Sequence, residues 1–148
     1  MKLLGDIFKA TYLPSGEQIC LLSNPLDATI FVKNHNLYRL DKNGDVVWQV
    51  QRNEKPGWAW FTKCRQEAEQ SNINDPAGIG ACGFMSLWLK YPDGSTNMQM
   101  GAAPKTATWV KGCRVFAHAF NAISIDYEID IETGVATSVL EQMQGRPW

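Results

Sequence analysis

The chain has 148 residues, 45% of them apolar and 20% charged, with a formal net charge of −1. A chain of this length fits one domain that buries roughly two-thirds of its unfolded surface, and the composition excludes a disordered segment. The near-neutral charge gives no support to nucleic-acid binding, and no apolar run approaches the roughly 18 residues that span a membrane.

The opening stretch, MKLLGDIFKATYL, is interrupted by Gly5 and Asp6 before any signal-peptide core can form. The expected location is therefore the cytoplasm. Cys20, Cys64, Cys82 and Cys113 form no CxxC pair and no zinc spacing, so free, buried thiols are expected rather than disulfides.

Read along the chain, alternation of apolar and polar residues dominates. Four segments share a pattern of run, Gly-bearing turn, run: 7–22, 37–50, 87–100 and 124–139, with Gly16, Gly44, Gly94 and Gly134 in the turns. Asn43-Gly44 and Asp93-Gly94 are strong hairpin signals, because tight turns need residues that tolerate positive φ. In the second segment Tyr38, Leu40, Val46, Trp48 and Val50 are expected on one face, with Arg39, Asp41, Gln49 and Gln51 on the other. Residues 28–34, ATIFVKN, read as a further strand, and 106–120 as two strands joined at Lys111-Gly112. The stretch 53–83 interrupts the pattern as a long irregular insertion, in which only 62–71, TKCRQEAEQS, suits a helix. The tail 141–148 carries no pattern. The turn glycines are too unevenly spaced for a repeat. These readings define a single all-β domain over 1–148, an antiparallel sheet of about 8–10 strands built from hairpins, curled into a barrel or split as a sandwich.

Several motifs invite chemistry they do not support. GIGACG (78–83) matches a dinucleotide-binding glycine pattern but lacks the preceding strand and following helix. DKNGD (41–45) has its glycine at the wrong place for a calcium loop. The only histidines are His35, in an Asn-His-Asn turn, and His118, in an apolar run. No catalytic residue, metal ligand or cofactor is assigned.

Two features point to a partner. SIDYEIDIETG places Asp126, Glu128, Asp130 and Glu132 at alternate positions of one strand, with Ile125, Tyr127, Ile129 and Ile131 between them. Residues two apart on a strand share a face at about 6.8 Å, so the carboxylates form one row. In bulk water three neighbouring pairs cost on the order of 2 kcal/mol, which Lys33, Arg39, Lys111 or Arg114 can offset. Carboxylates ~6.8 Å apart do not converge on one ion with oxygens at ~2.4 Å. PGWAWF (56–61) adds Trp58 and Trp60, a residue type enriched at binding hot spots.

Together these features predict a non-enzymatic protein-binding module. The carboxylate row steers a partner with a basic surface and the two tryptophans anchor it, as in an immunity protein or inhibitor that neutralises a toxin. Homo-oligomerisation is left open. The alternatives are an apolar-ligand carrier with a lumen lined by Trp48, Trp88, Trp109 and Met98, and a small hydrolase using His118 with an acid such as Asp126.

Overall fold

Alternation becomes sheet wherever the turn between two runs closes. The computed structural model describes residues 3, 5–72, 79–97, 106–121 and 123–139. Its elements, in chain order, are β1 (Asp6–Tyr12), β2 (Gln18–Ser23), α1 (Ile30–Asn34), β3 (Leu37–Leu40), β4 (Val46–Gln49), β5 (Gln51–Asn53), α2 (Ala59–Ser71), β6 (Phe84–Lys90), β7 (Thr106–Thr108), β8 (Arg114–Phe120), β9 (Ser124–Ile129) and β10 (Val135–Ser138). A single 3₁₀ turn, Pro56–Trp58, leads into α2. The four expected turn glycines all adopt positive φ, between 79° and 89°. Three of their segments form antiparallel hairpins: β1–β2, β3–β4 and β9–β10. After β6 the chain turns at Gly94 and makes one bridge, Lys90 to Thr96, before 98–105, which lie outside the described residues.

The strands form two five-stranded sheets, ordered β4-β3-β2-β1-β7 and β5-β10-β9-β8-β6. The fold is thus the split, sandwich-like alternative, not a closed barrel. Each sheet also ends in a parallel pair, β1–β7 and β5–β10, so neither is purely antiparallel. A hairpin cannot make such pairs. β7 and β8 flank the Gly112 turn, yet they join different sheets. Val50 is the hinge between the sheets: β4 is the edge of the first, and one residue later β5 is the edge of the second.

The main core lies between the sheets. Ile19, Leu21 and Leu37 of the first meet Leu87, Leu89, Val115, Ile125 and Tyr127 of the second, all buried. A smaller cluster of Ala10, Cys20, Leu22, Tyr38 and Leu40 lies on the other face of the first sheet. This division corrects the facing expected for the second hairpin. A bulge between Arg39 and Leu40 pairs Arg39 with Trp48 and Leu40 with Val46. A one-residue shift exchanges faces, so Trp48 and Val50 join the main core while Tyr38, Leu40 and Val46 join the smaller cluster.

Residues 28–34 do not form the expected strand. Ile30, Phe31 and Val32 favour strands locally, but Thr29 Oγ1 accepts the Val32 N–H at 3.2 Å as an N-cap. The Ile30 N–H donates to Asn72 Oδ1 at 2.9 Å, tying α1 to the end of α2. Capping and packing therefore override propensity. The helix expected at 62–71 is real and starts earlier, at Ala59, so most of the described stretch in 53–83 is helical and not irregular. The tail 141–148 and Gly78 of the glycine pattern fall outside the described residues.

Candidate functional site: the outer face of the second sheet

β8 and β9 pair in register, with Phe116 opposite Glu128, Ala117 opposite Tyr127 and His118 opposite Asp126. Inward residues fill the core, so Arg114, Phe116, His118 and Phe120 share the outer face with Ser124, Asp126 and Glu128. Asp126 and Glu128 therefore face away from the core, as alternation predicts, but β9 ends at Ile129. Asp130 lies just past the strand and Glu132 in the turn that follows, so the four carboxylates do not share one strand as expected.

Most of the row has basic neighbours. Arg114 grips Glu128 with two bonds, its Nε donating at 2.7 Å. His118 Nδ1 lies 2.6 Å from Asp126 Oδ1. Asp130 Oδ1 accepts the N–H groups of Glu132 and Thr133, which fixes the β9–β10 turn. Glu132 is 78% exposed, and its nearest cation is Arg39 Nη1 at 3.8 Å. Arg39 itself is held by Glu17 at 3.0 Å and by the Ile131 carbonyl at 2.8 Å. Two of the four expected basic neighbours, Arg39 and Arg114, thus serve. His118 adds a third neighbour; sequence placed it with Asp126 only in the hydrolase alternative, and the ladder register makes them direct partners.

Where the row meets the turn, Glu128, Asp130, Thr133, Val135 and Thr137 line an open groove of about 410 Å³. Its two carboxylates and two hydroxyls, beside the aliphatic Ile129 and Val135, are hydrogen-bond acceptors, an acceptor set that suits a lysine or arginine side chain.

A second feature of the same face is a chain of three polar groups. At neutral pH a carboxylate only accepts, so His118 Nδ1–H is the donor to Asp126. In the neutral imidazole Nε2 is then the bare nitrogen, and it lies 3.1 Å from Ser124 Oγ. The Phe120 ring, 50% exposed, stacks beside the imidazole with centroids 6.3 Å apart.

The tryptophans expected to complete one binding surface lie apart from the groove. The Lys55 N–H donates to Ser138 Oγ, so the aromatic segment leaves the sheet at the far end of β10 from Glu132. Trp58 is partly buried against the core, with its Nε1 unpaired among the described residues. Trp60 is 50% exposed, its ring 5.9 Å from that of Trp58. A separate groove of about 530 Å³ beside this segment is lined by Asn53–Pro56 and one side of α2, including Thr62 and Lys63.

Behind the face lies a buried ionic network that sequence reading missed. The Glu54 side chain is fully buried; its Oε1 accepts from Arg65 at 3.0 and 3.1 Å and from Thr62 at 2.9 Å. The Tyr127 hydroxyl donates to Glu54 Oε2 at 2.9 Å and accepts from Arg52 Nη2 at 2.8 Å. Arg65 also holds Glu69, which accepts from Asn34 Nδ2. Burial pushes the Glu54 carboxyl up, but Arg65 and Arg52 outweigh it and hold it below the ordinary value. Arg65 and Glu69 at i, i+4 were the one legible signal.

The Asn-His-Asn turn anchors the glycine-rich segment. Asn34 accepts the Cys82 N–H and donates to the Gly80 carbonyl, while Asn36 accepts the Phe84 N–H and donates to the Phe84 and Leu22 carbonyls. A Cβ at Gly80 would lie 2.5 Å from Ala68 Cβ, and one at Gly83 2.6 Å from the Lys33 carbonyl. Close backbone packing therefore accounts for both glycines.

Among the described residues, those expected to line a carrier's lumen do not face one space. Trp48 is in the core and Trp109 packs against it, but Trp88 lies on the outer face, stacked on Phe116 at 5.9 Å. Met98 lies outside the described residues. All four cysteines are free thiols, and burial pushes the Cys20 thiol up to about 12. Among the described residues no three His, Cys, Asp or Glu side chains cluster as a metal site, and no helix is long and apolar enough to cross a membrane. No protein-family model, curated protein or solved structure matches the chain.

Proposed function

We propose that the protein is a binding module for a partner with a basic surface, of the kind an inhibitor or immunity protein presents to a toxin. The observation that carries this reading is the acidic groove of Glu128 and Asp130 with Glu132 exposed beside it. A lysine or arginine entering the groove meets oxygens already held in place by Arg114 and the turn, so little ordering remains to be done on binding. Pairing within the row confines steering to its turn end. There Asp130 and Glu132 act, with Glu128 as wall; Asp126 belongs to the His118 pair. Trp60 serves as a separate, peripheral contact and Trp58 as its support. The four free thiols favour a cytoplasmic setting.

The test is affinity capture followed by titration calorimetry with the identified partner, comparing wild type with the Asp130→Asn/Glu132→Gln double variant. A basic partner whose affinity falls about tenfold or more in the variant, and weakens steeply with salt, is the expected result. Equal affinity for both proteins would remove the groove from the interface.

A further inference from the structure

Ser124, His118 and Asp126 form a feature that the binding reading does not use. They come from facing strands of one hairpin, β8 and β9, joined by a turn in which the Asn121 N–H donates to the Ile123 carbonyl at 3.0 Å. His118 and Asp126 are direct ladder partners; Ser124 is two residues from Asp126 on the same face. This register brings both ring nitrogens into use: Asp126 on Nδ1 at 2.6 Å and Ser124 on Nε2 at 3.1 Å. The order of atoms has chemical content. A carboxylate on Nδ1 leaves the lone pair of neutral imidazole on Nε2, aimed at the hydroxyl. Such a pair takes the proton from the serine as its oxygen attacks, and the carboxylate stabilises the imidazolium that forms. A carboxylate contacting both nitrogens would lack this polarity.

We propose that Ser124 is an acyl-accepting nucleophile, with His118 as its general base and Asp126 as the residue that positions the imidazole. In the step, a new bond forms between Ser124 Oγ and the acyl carbon, and the hydroxyl proton passes to His118 Nε2. The bond from the acyl carbon to the leaving oxygen breaks, and His118 returns the proton to that oxygen. Water, activated by the same nitrogen, later hydrolyses the Ser124 ester and releases the acid.

The surroundings select the substrate class. Ser124 is exposed and the face is open, so solvent supplies the donors to the developing oxyanion. Without a dry, preorganised set of donors, good leaving groups react and amides do not. The half-exposed Phe120 ring stacked on the imidazole offers an apolar flank beside the nucleophile. Small aryl esters combine both properties.

The test uses the full-length protein with a fluorophosphonate probe and with p-nitrophenyl acetate, and locates the adduct by peptide mass spectrometry. The expected result is a single adduct on Ser124, absent in Ser124→Ala and formed roughly 100-fold more slowly in His118→Gln, since general-base help contributes about 10²–10⁴-fold. Asp126→Asn is expected to slow it by at least about tenfold, and Ser86→Ala, which alters the strand on the other side of His118, to leave it unchanged. Circular dichroism checks that each variant is folded. A wild type with no adduct on Ser124 overturns the proposal without reference to any variant, and so does an adduct that forms equally fast in folded His118→Gln. Neither outcome touches the groove at the other end of the row, which the calorimetric comparison tests separately.

Discussion

Glu54 shows how much one side chain can carry at the centre of a sheet fold. Two guanidinium groups and a phenol converge on a carboxylate that has no contact with water. Charges brought out of water cost several kcal/mol each, which mutual pairing offsets only while every partner is in place. Glu54→Gln leaves Arg52 without its carboxylate and Arg65 with Glu69 alone; it is expected to cost roughly 3–5 kcal/mol in urea unfolding. The same network sets a pH dependence. The folded carboxyl titrates below its unfolded value of about 4.3, so the unfolded chain takes up protons first. Its contribution is therefore complete above about pH 4.3 and is lost as pH falls through the folded value. Urea midpoints measured from pH 7 to pH 3 are expected to drop in the wild type and to drop less steeply in Glu54→Gln.

At the scale of elements, turns decide which residues face the core. Gly134 has φ of +79°, and a Cβ there would lie 2.6 Å from the Trp48 ring, which is itself pinned by its Nε1–H to the Ile131 carbonyl at 2.8 Å. Gly44 has nearly the same φ, +85°, with open space around it. Gly44→Ala is expected to cost about 1–2 kcal/mol, from backbone conformation alone. Gly134→Ala adds about 1–3 kcal/mol of overpacking against a ring that cannot swing away. Thermal unfolding of the two variants side by side measures the difference. If they match, Trp48 is not wedged against the turn. The hairpin glycines and the inward alternation of β9 were legible in sequence because both are local properties. The faces of β3 and β4 were not, since the Arg39 bulge moves the register by one residue and no residue type announces it. Nor was α1, whose strand-forming residues are held helical by a cap and by Asn72, a neighbour forty-two positions away.

At the scale of the whole molecule, the two sheets share one apolar core to which β2, β3, β6, β8 and β9 all contribute. The chain also crosses between sheets at Val50, and Arg39 and Trp48 of the first sheet donate to Ile131 beside the second. Neither sheet buries its inner face without the other. Tryptophan fluorescence and far-ultraviolet circular dichroism are therefore expected to report coincident urea transitions; separated midpoints would mean that the sheets unfold independently. The exposed groups on the outer faces contribute little to this cohesion.

The sequence by itself determined the β class, the hairpin turns, the main helix and the outward placement of Asp126 and Glu128, because periodicity and turn chemistry act within a few residues. Only the tertiary structure decided which cation each carboxylate meets, that His118 lies between Ser124 and Asp126, and that Glu54, Arg52, Arg65 and Tyr127 share one buried network. It also separated Trp58 and Trp60 from the groove. Those outcomes depend on register and on which strands become neighbours, and both are set by packing the whole apolar surface at once.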